Sequence, residues 1–302
     1  FRNNFTTLKN DIPYYHYFLL ENLRYSFAKK KVINLLEDRN WIKSFNEFDK
    51  NGISLLPIDI NEIIFNSENI LDDNLNTISS SNNHDFINIL SSSDWNEYGK
   101  KTLEFSLSSE LIKNFIFNKN LHTFLFQAFR SNNFWFRNHP IFSVDNENFR
   151  KITSPQGNFH IDNGLRQVSI MILLNDIDAK NSHMEYVIKS HNNNYFSRVS
   201  RYKKSFIKKT NKLLKKEKIF KIIGKKGSVF IFNAGNGIHK AVYGKGIRKI
   251  IHFNIVNTFA HNNFFNNIKS IKNYKKSKEE TDKFVSEIKK YNFDLDKFKI
   301  AL

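Results

Sequence analysis

At 302 residues the chain is long enough for one large domain or two small ones, and its 40% hydrophobic content, with 31 Phe and 11 Tyr, can fill a substantial core. It has no cysteine, which excludes disulfides, thiolate zinc sites and a cysteine nucleophile, so any metal must be held by His, Asp or Glu. The net charge of +18 attracts nucleic acid, anionic membranes and anionic small molecules, but a lysine-coated solvated surface and AT-rich codon usage account for it equally well.

No stretch approaches the roughly eighteen consecutive apolar residues of a membrane span. The chain starts at Phe1 and shows no secretory leader; a soluble, cytoplasmic protein is the default expectation, and an upstream segment can be missing. Residues 14–47 carry apolar side chains at three and four spacing and are expected to be mainly helical. "DKNGISLLPI" (49–58) predicts a turn at Asn51-Gly52 and a short strand ended by Pro57. Residues 66–100 are polar and read as surface loops with short helices. "SSELIKNFIFNKNLHTFLFQAF" (108–129) reads as one or two helices, with Ser108 or Ser109 as the N-cap.

The texture changes after Asn133. "FWFRNHPIFSV" (134–144), "RQVSIMILLNDI" (166–177) and "SHMEYVIKSH" (182–191) are strand candidates. The block 198–226 is strongly basic, with apolar residues at helical spacing. "GSVFIFNAG" (227–235), "GIHKAV" (237–242) and "IRKIIHFNIV" (247–256) are three short strands separated by glycine turns, and the Lys-rich tail 263–302 reads as helical. Short strands without regular intervening helices favour an antiparallel sandwich or barrel over a parallel sheet.

Within this strand-rich centre, "NFHIDNG" (158–164) sets His160 and Asp162 two residues apart. On an extended chain both face one side, with Ile161 facing the other. An imidazole and a carboxylate with one further His make the two-His-one-carboxylate triad, which leaves metal positions open. The short motif alone also fits a strand end whose Asp caps the Asn163-Gly164 turn.

Residues 227–256 supply more: a glycine turn, a wholly apolar strand, His239 on the next strand, a Gly-x-Gly hairpin, then Arg248 on a final alternating strand. The combination resembles the phytanoyl-CoA dioxygenase-like branch of the Fe(II)/2-oxoglutarate-dependent oxygenases. Residues 168–191 are similar to that family's strand, acidic turn and hairpin: Asn181, Ser190 and His191 match, while Ser182 replaces a Gly and Ile188-Lys189 replace Pro-Gly. The resemblance covers 155–256 and is thin over 1–130.

It implies a mainly β core with flanking helices (α+β), folded as a double-stranded β-helix of jelly-roll, cupin-like type. The corresponding single catalytic domain has a helical support region (1–130), a core (131–260) with the basic insertion 198–226, and a helical tail (261–302). It implies Fe(II) held by His160, Asp162 and His239, with 2-oxoglutarate and O2 as co-substrates. Arg248 would grip the distal carboxylate of 2-oxoglutarate, and Ser169 would either add a hydrogen bond to the co-substrate or be a plain strand serine. The activity implied is hydroxylation of a C–H bond with release of succinate and CO2. The presence of Asp162 argues against halogenation, which needs that carboxylate replaced.

Periodicity puts Arg248, Ile250, His252 and Asn254 on one face of their strand, and Ile247, Ile251, Phe253 and Ile255 on the other. A buried Arg needs an anionic partner, either a ligand or an acidic side chain. His252 reads as a neighbour of the site or as an ordinary satisfied histidine; His183 and His191 are rivals as ligands, and His139 a pocket candidate. His16, His84, His122 and His261 lie outside the core and receive no role. "FWF" (134–136) reads first as core packing. The block 201–218, expected near the barrel mouth, reads first as a solvated amphipathic helix, with attraction of an anionic or carrier-linked small molecule by its lysines as the alternative. No nucleic-acid recognition motif is present. A nucleic-acid- or protein-modifying oxygenase and a non-catalytic barrel remain the alternatives, and the sequence leaves the oligomeric state open.

Overall fold

The computed structural model describes residues 36–60, 100–104, 115, 118–130, 134–136, 141–145, 157–162, 167–192 and 204–257. Helix α1 (Arg39–Asn51) starts where the Asp38 carboxylate accepts the backbone N–H groups of Asn40 and Trp41. It ends at Gly52, which turns left-handed at φ 83° and feeds strand β1 (Ile53–Leu55). The turn and strand predicted over 49–58 are present. The predicted helix over 14–47 is corrected at its end, which lies four residues further on at Asn51, where the left-handed Gly52 stops it. Residues 14–35 of that prediction lie outside the described residues, as do the loops over 66–99, Ser108, Ser109 and the tail 263–302.

Next come β2 (Lys100–Glu104) and α2 (Lys119–Phe129), the latter capped by Asn118, whose side chain accepts the Leu121 N–H. Strands β3 (Phe134–Phe136), β4 (Ile141–Asp145), β5 (Gln167–Leu173) and β6 (His183–Val187) follow. Helix α3 (Lys204–Leu214) precedes β7 (Ile219–Ile222), β8 (Val229–Asn233), β9 (His239–Val242) and β10 (Arg248–Asn257). Each strand candidate of the sequence is found. One correction falls in the basic block: helical spacing missed β7. Its four residues are strand because they pair antiparallel with β6, and tertiary pairing overrides local pattern.

The strands form two antiparallel sheets. The larger runs in the order β1-β8-β5-β10-β4-β2, with β3 pairing further along β10; the smaller runs β7-β6-β9. His160 extends the smaller sheet by a two-way bridge to His239 of β9. From β4 onward the chain alternates between the sheets: β4 in the larger, His160 in the smaller, β5 in the larger, β6 and β7 in the smaller, then β8, β9 and β10 by turns. This alternation between facing sheets is a double-stranded β-helix, a mainly β core with flanking helices.

Side-chain alternation separates two cores. Val168, Ile170 and Ile172 of β5, with Ile251, Phe253 and Ile255 of β10, face outward and pack against α1 and α2. There Phe124 of α2 sits edge-on to Trp41, Phe45 and Phe48 of α1. Phe134 joins this outer core and stacks on Phe129, so its role is packing, as the sequence favoured. Met171, Leu173, Phe230, Phe232 and Ile250 face the other way and meet Met184, Tyr186 and Ile222 of the smaller sheet in the barrel interior. That interior holds the polar groups described next. Among the described residues no helix is long and apolar enough to cross a membrane.

Candidate metal centre

Strand pairing assembles the site. His160 and His239 exchange backbone hydrogen bonds, N–H to O at 2.9 and 2.8 Å, so they stand directly opposite each other in an antiparallel pair. Side chains of such a pair project from one face, and the two imidazole centroids are 4.4 Å apart. Asp162 is held two residues on by its own N–H, which donates to the Ala234 carbonyl at 2.9 Å. Its carboxylate therefore comes to the same side as His160. Ile161 turns outward into a small apolar cluster with Val187 and Ile238. The face assignment made from "HID" holds, although only one bridge residue, and no extended strand, carries it.

Ligand atoms of His160, Asp162 and His239 lie within 4.8 Å of one another, the only such trio among the described residues. Both imidazoles are oriented from behind. His160 Nδ1 lies 2.7 Å from the Asn158 carbonyl oxygen, and His239 Nδ1 lies 3.0 Å from that of Gly237. A carbonyl only accepts, so each Nδ1 carries a proton, and in the neutral ring the Nε2 lone pair is turned toward the trio. Asp162 Oδ1 lies 3.8 Å from His160 Nε2 and 3.5 Å from His239 Nε2. Both histidines are buried, and the carboxylate is a quarter exposed. Burial raises the Asp162 pKa, but in the metal-free site with a proton also on Nε2, a hydrogen bond from His239 and the charges of His239, His160 and His252 outweigh it and lower it from 3.8 to about 2. The carboxyl is ionised at neutral pH. Two neutral imidazoles and one carboxylate, converging from one side, fit a first-row divalent metal with open positions.

The other predicted residues fall into place as follows. Arg248 is buried at 6% exposure, on the β10 face that carries Ile250 into the barrel. His252 of the same face stacks on Phe232 at 6.4 Å, and Phe232 meets His239 edge-on at 5.7 Å. Ser169 is fully buried and donates its hydroxyl to Asn254 Oδ1 at 2.8 Å. A bond from Ser169 to a co-substrate would mean giving up that partner. Neither rival histidine joins the trio: His183 bonds the Asn181 carbonyl through Nδ1, and His191 bonds that of Asp49 through Nε2. His139 lies outside the described residues.

Sequence reading missed Gln167, which donates its side-chain N–H to Asp162 Oδ2 at 2.7 Å and to Asn254 Oδ1 at 3.1 Å. The signal was available: Gln167, Ser169, Met171 and Leu173 alternate with the outward Val168, Ile170 and Ile172. A polar residue heading the inward series must face the site. The basic insertion also differs from expectation. Leu213 and Leu214, at the end of α3, pack on Ile161, Val187 and Ile238, behind the ligands. An amphipathic helix buries its apolar stripe where an apolar patch is offered, and here the patch is the back of the ligand segment.

No family model matches the sequence, and no curated protein matches it. Among solved structures, the α-ketoglutarate-dependent epimerase SnoN from nogalamycin biosynthesis aligns over 72% of this chain and 83% of its own, at 12% identity and TM-score 0.48. EctD from S. alaskensis with bound Fe aligns over 71% and 75%, at 16% identity and TM-score 0.48. AviO1 from Streptomyces viridochromogenes Tue57 aligns over 73% and 96%, at 13% identity and TM-score 0.43. Identities this low transfer no residue roles to this chain.

Proposed function

We propose that this chain is a non-haem oxygenase that uses Fe(II) and 2-oxoglutarate to oxidise a C–H bond of a small molecule. One observation carries the reading: the His160 imidazole and the Asp162 carboxylate, two residues apart, and the imidazole of the distant His239 converge inside the barrel with Nε2, Oδ1 and Nε2 turned toward one another. His160 Nε2, His239 Nε2 and Asp162 Oδ1 would hold the metal. The bound metal, with 2-oxoglutarate and dioxygen, supplies the oxidising power, the keto acid leaving as succinate and CO2.

The residues of the chain do the rest. Arg248 offers a planar fork that binds a carboxylate bidentately and never deprotonates, and its burial shields that contact from water. This buried cation favours a dicarboxylate co-substrate over a simple hydrolytic zinc site, which would use the same three donors. Met171, Tyr186 and Phe232 surround the polar groups with apolar surface and keep the interior dry. The carbonyls of Asn158 and Gly237 anchor both rings through Nδ1 and aim both Nε2 atoms at the site. Within this class we place the chain in the phytanoyl-CoA dioxygenase-like branch. The support is the order and spacing of His160, Asp162, His239 and Arg248 together with Asn181, Ser190 and His191.

The substrate we favour is a small anion; the insertion's helix backs onto the ligand segment, so its lysines would attract the anion over distance and not by lining the pocket. Lys208, Lys212, Lys215 and Lys216 are exposed there. Replacing all four with Ser should raise KM for such a substrate; an unchanged KM would remove the anion from the proposal.

The direct test supplies the chain with Fe(II), 2-oxoglutarate and air and follows succinate. Slow 2-oxoglutarate consumption without a prime substrate is expected in the wild type and absent in Asp162→Ala. Wild-type consumption no faster than Asp162→Ala would defeat the proposal.

A further inference from the structure

Gln167 is 2% exposed, and its amide nitrogen serves two acceptors, Asp162 Oδ2 and Asn254 Oδ1. Asn254 Oδ1 also accepts the Ser169 hydroxyl. Ser169 and Asn254 are direct cross-strand partners on β5 and β10, so the polar strip is built into the sheet register. The carboxylate fixes the direction of the amide, because a flipped amide would set two acceptor oxygens face to face. Both N–H groups of Gln167 are then spent, and its Oε1 is buried with no hydrogen-bond partner among the described residues.

A buried acceptor without a donor is unfavourable, and a methionine of similar size would fill the position without that penalty. Packing therefore does not account for an amide here; its two donors do. They act on one side of Asp162: Oδ2 is engaged by Gln167, while Oδ1 is the oxygen 3.5 and 3.8 Å from the two Nε2 atoms.

Building on the metal centre proposed above, we propose that Gln167 is a positioning residue that restricts Asp162 to a single ligating oxygen. Two imidazoles and one carboxylate oxygen would then hold the ion and would leave its remaining positions open for co-substrate and dioxygen. With Oδ2 released, the carboxylate could close on the ion through both oxygens and occupy one of those positions. Asn254 and Ser169 stiffen the amide by fixing its second N–H.

The test uses the full chain and Co(II) alone, with no turnover. Gln167→Met should leave the metal-free melting temperature near that of the wild type. It should weaken Co(II) binding by about 10- to 100-fold and change the intensity of the Co(II) visible spectrum as coordination changes. A merely structural glutamine would lower the melting temperature and leave the spectrum alone. If Gln167→Met does not fold, Gln167→Asn, which keeps a buried amide but is one methylene short of Asp162, should show the same loss. Unchanged affinity and spectrum in the folded variant would overturn the inference. The two levels separate cleanly: wild type that binds no Co(II), or binds it equally after His160→Ala, defeats the metal centre itself. Wild type that loses binding on His160→Ala but not on Gln167→Met defeats only the role of Gln167.

Discussion

Gly237→Ala perturbs the metal centre from two residues away without touching a ligand. A Cβ on Gly237 would overlap the Tyr186 hydroxyl and the Asn233 carbonyl oxygen. Neither can yield easily: Tyr186 is fully buried in the barrel core, and the Asn233 carbonyl is backbone already accepting the Gly237 N–H at 2.9 Å. Tyr186 also donates to that carbonyl at 3.3 Å. Overpacking in a dense core costs about 1–3 kcal/mol, and disturbing the shared hydrogen bonds adds about 1 kcal/mol. The expected destabilisation is therefore about 2–4 kcal/mol. The second effect is functional, because the Gly237 carbonyl orients His239 through Nδ1. Moving that carbonyl swings Nε2 off the trio, and loss of such an orienting partner weakens metal binding by about 10- to 100-fold. Urea unfolding measures the first effect and Co(II) titration of the folded fraction the second. Tyr186→Phe removes the overlapping hydroxyl oxygen, so the double variant should be less destabilised than the sum of the two singles. Wild-type stability and wild-type Co(II) affinity in Gly237→Ala would refute this account of the loop.

Four further outcomes are expected. The lowered Asp162 pKa stabilises the metal-free fold above the unfolded value of 3.8, and that stabilisation is lost as pH falls toward about 2. Asp162→Asn should therefore cost about 2 kcal/mol at pH 5 and little at pH 2, by urea unfolding without metal. Ile161→Ala empties the pocket between the ligand segment and α3 and should cost about 2–4 kcal/mol, with weaker Co(II) binding in the same preparation. Ser169→Ala should change the 2-oxoglutarate Kd by less than about threefold, because its proton is engaged by Asn254, whereas Arg248→Leu should raise it by about 100-fold or more. Lys189 holds a left-handed φ of 62° where the family resemblance has Gly, so Lys189→Gly should stabilise the fold by about 0.5–1 kcal/mol in thermal unfolding.

The parts of the site written in local pattern were legible. The two-residue spacing of "HID" decided which side chains share a face, and the alternation in "IRKIIHFNIV" separated inward Arg248 from outward Ile251 and Phe253. What the sequence could not show depends on contacts between distant segments. Strand β7 exists because β6 offers it a partner, and its lysine-rich surroundings hid it. Gln167 acquires meaning only when β5 and β10 bring Asn254 beside it and the turn after His160 brings Asp162. The place of α3 follows from the apolar patch around Ile161, which is assembled from three separate segments. The start and end of α1 were a different matter: Asp38 and Gly52 are visible as caps, and weighing them would have shifted the boundary correctly.

The measurement closest to the central claim is anaerobic titration of the full chain with Fe(II) and 2-oxoglutarate, followed by visible absorption. A weak charge-transfer band should appear only when both are present, vanish in His160→Ala, and require far more 2-oxoglutarate in Arg248→Ala. A wild-type chain that gives no band, or a band indifferent to His160→Ala, would contradict it.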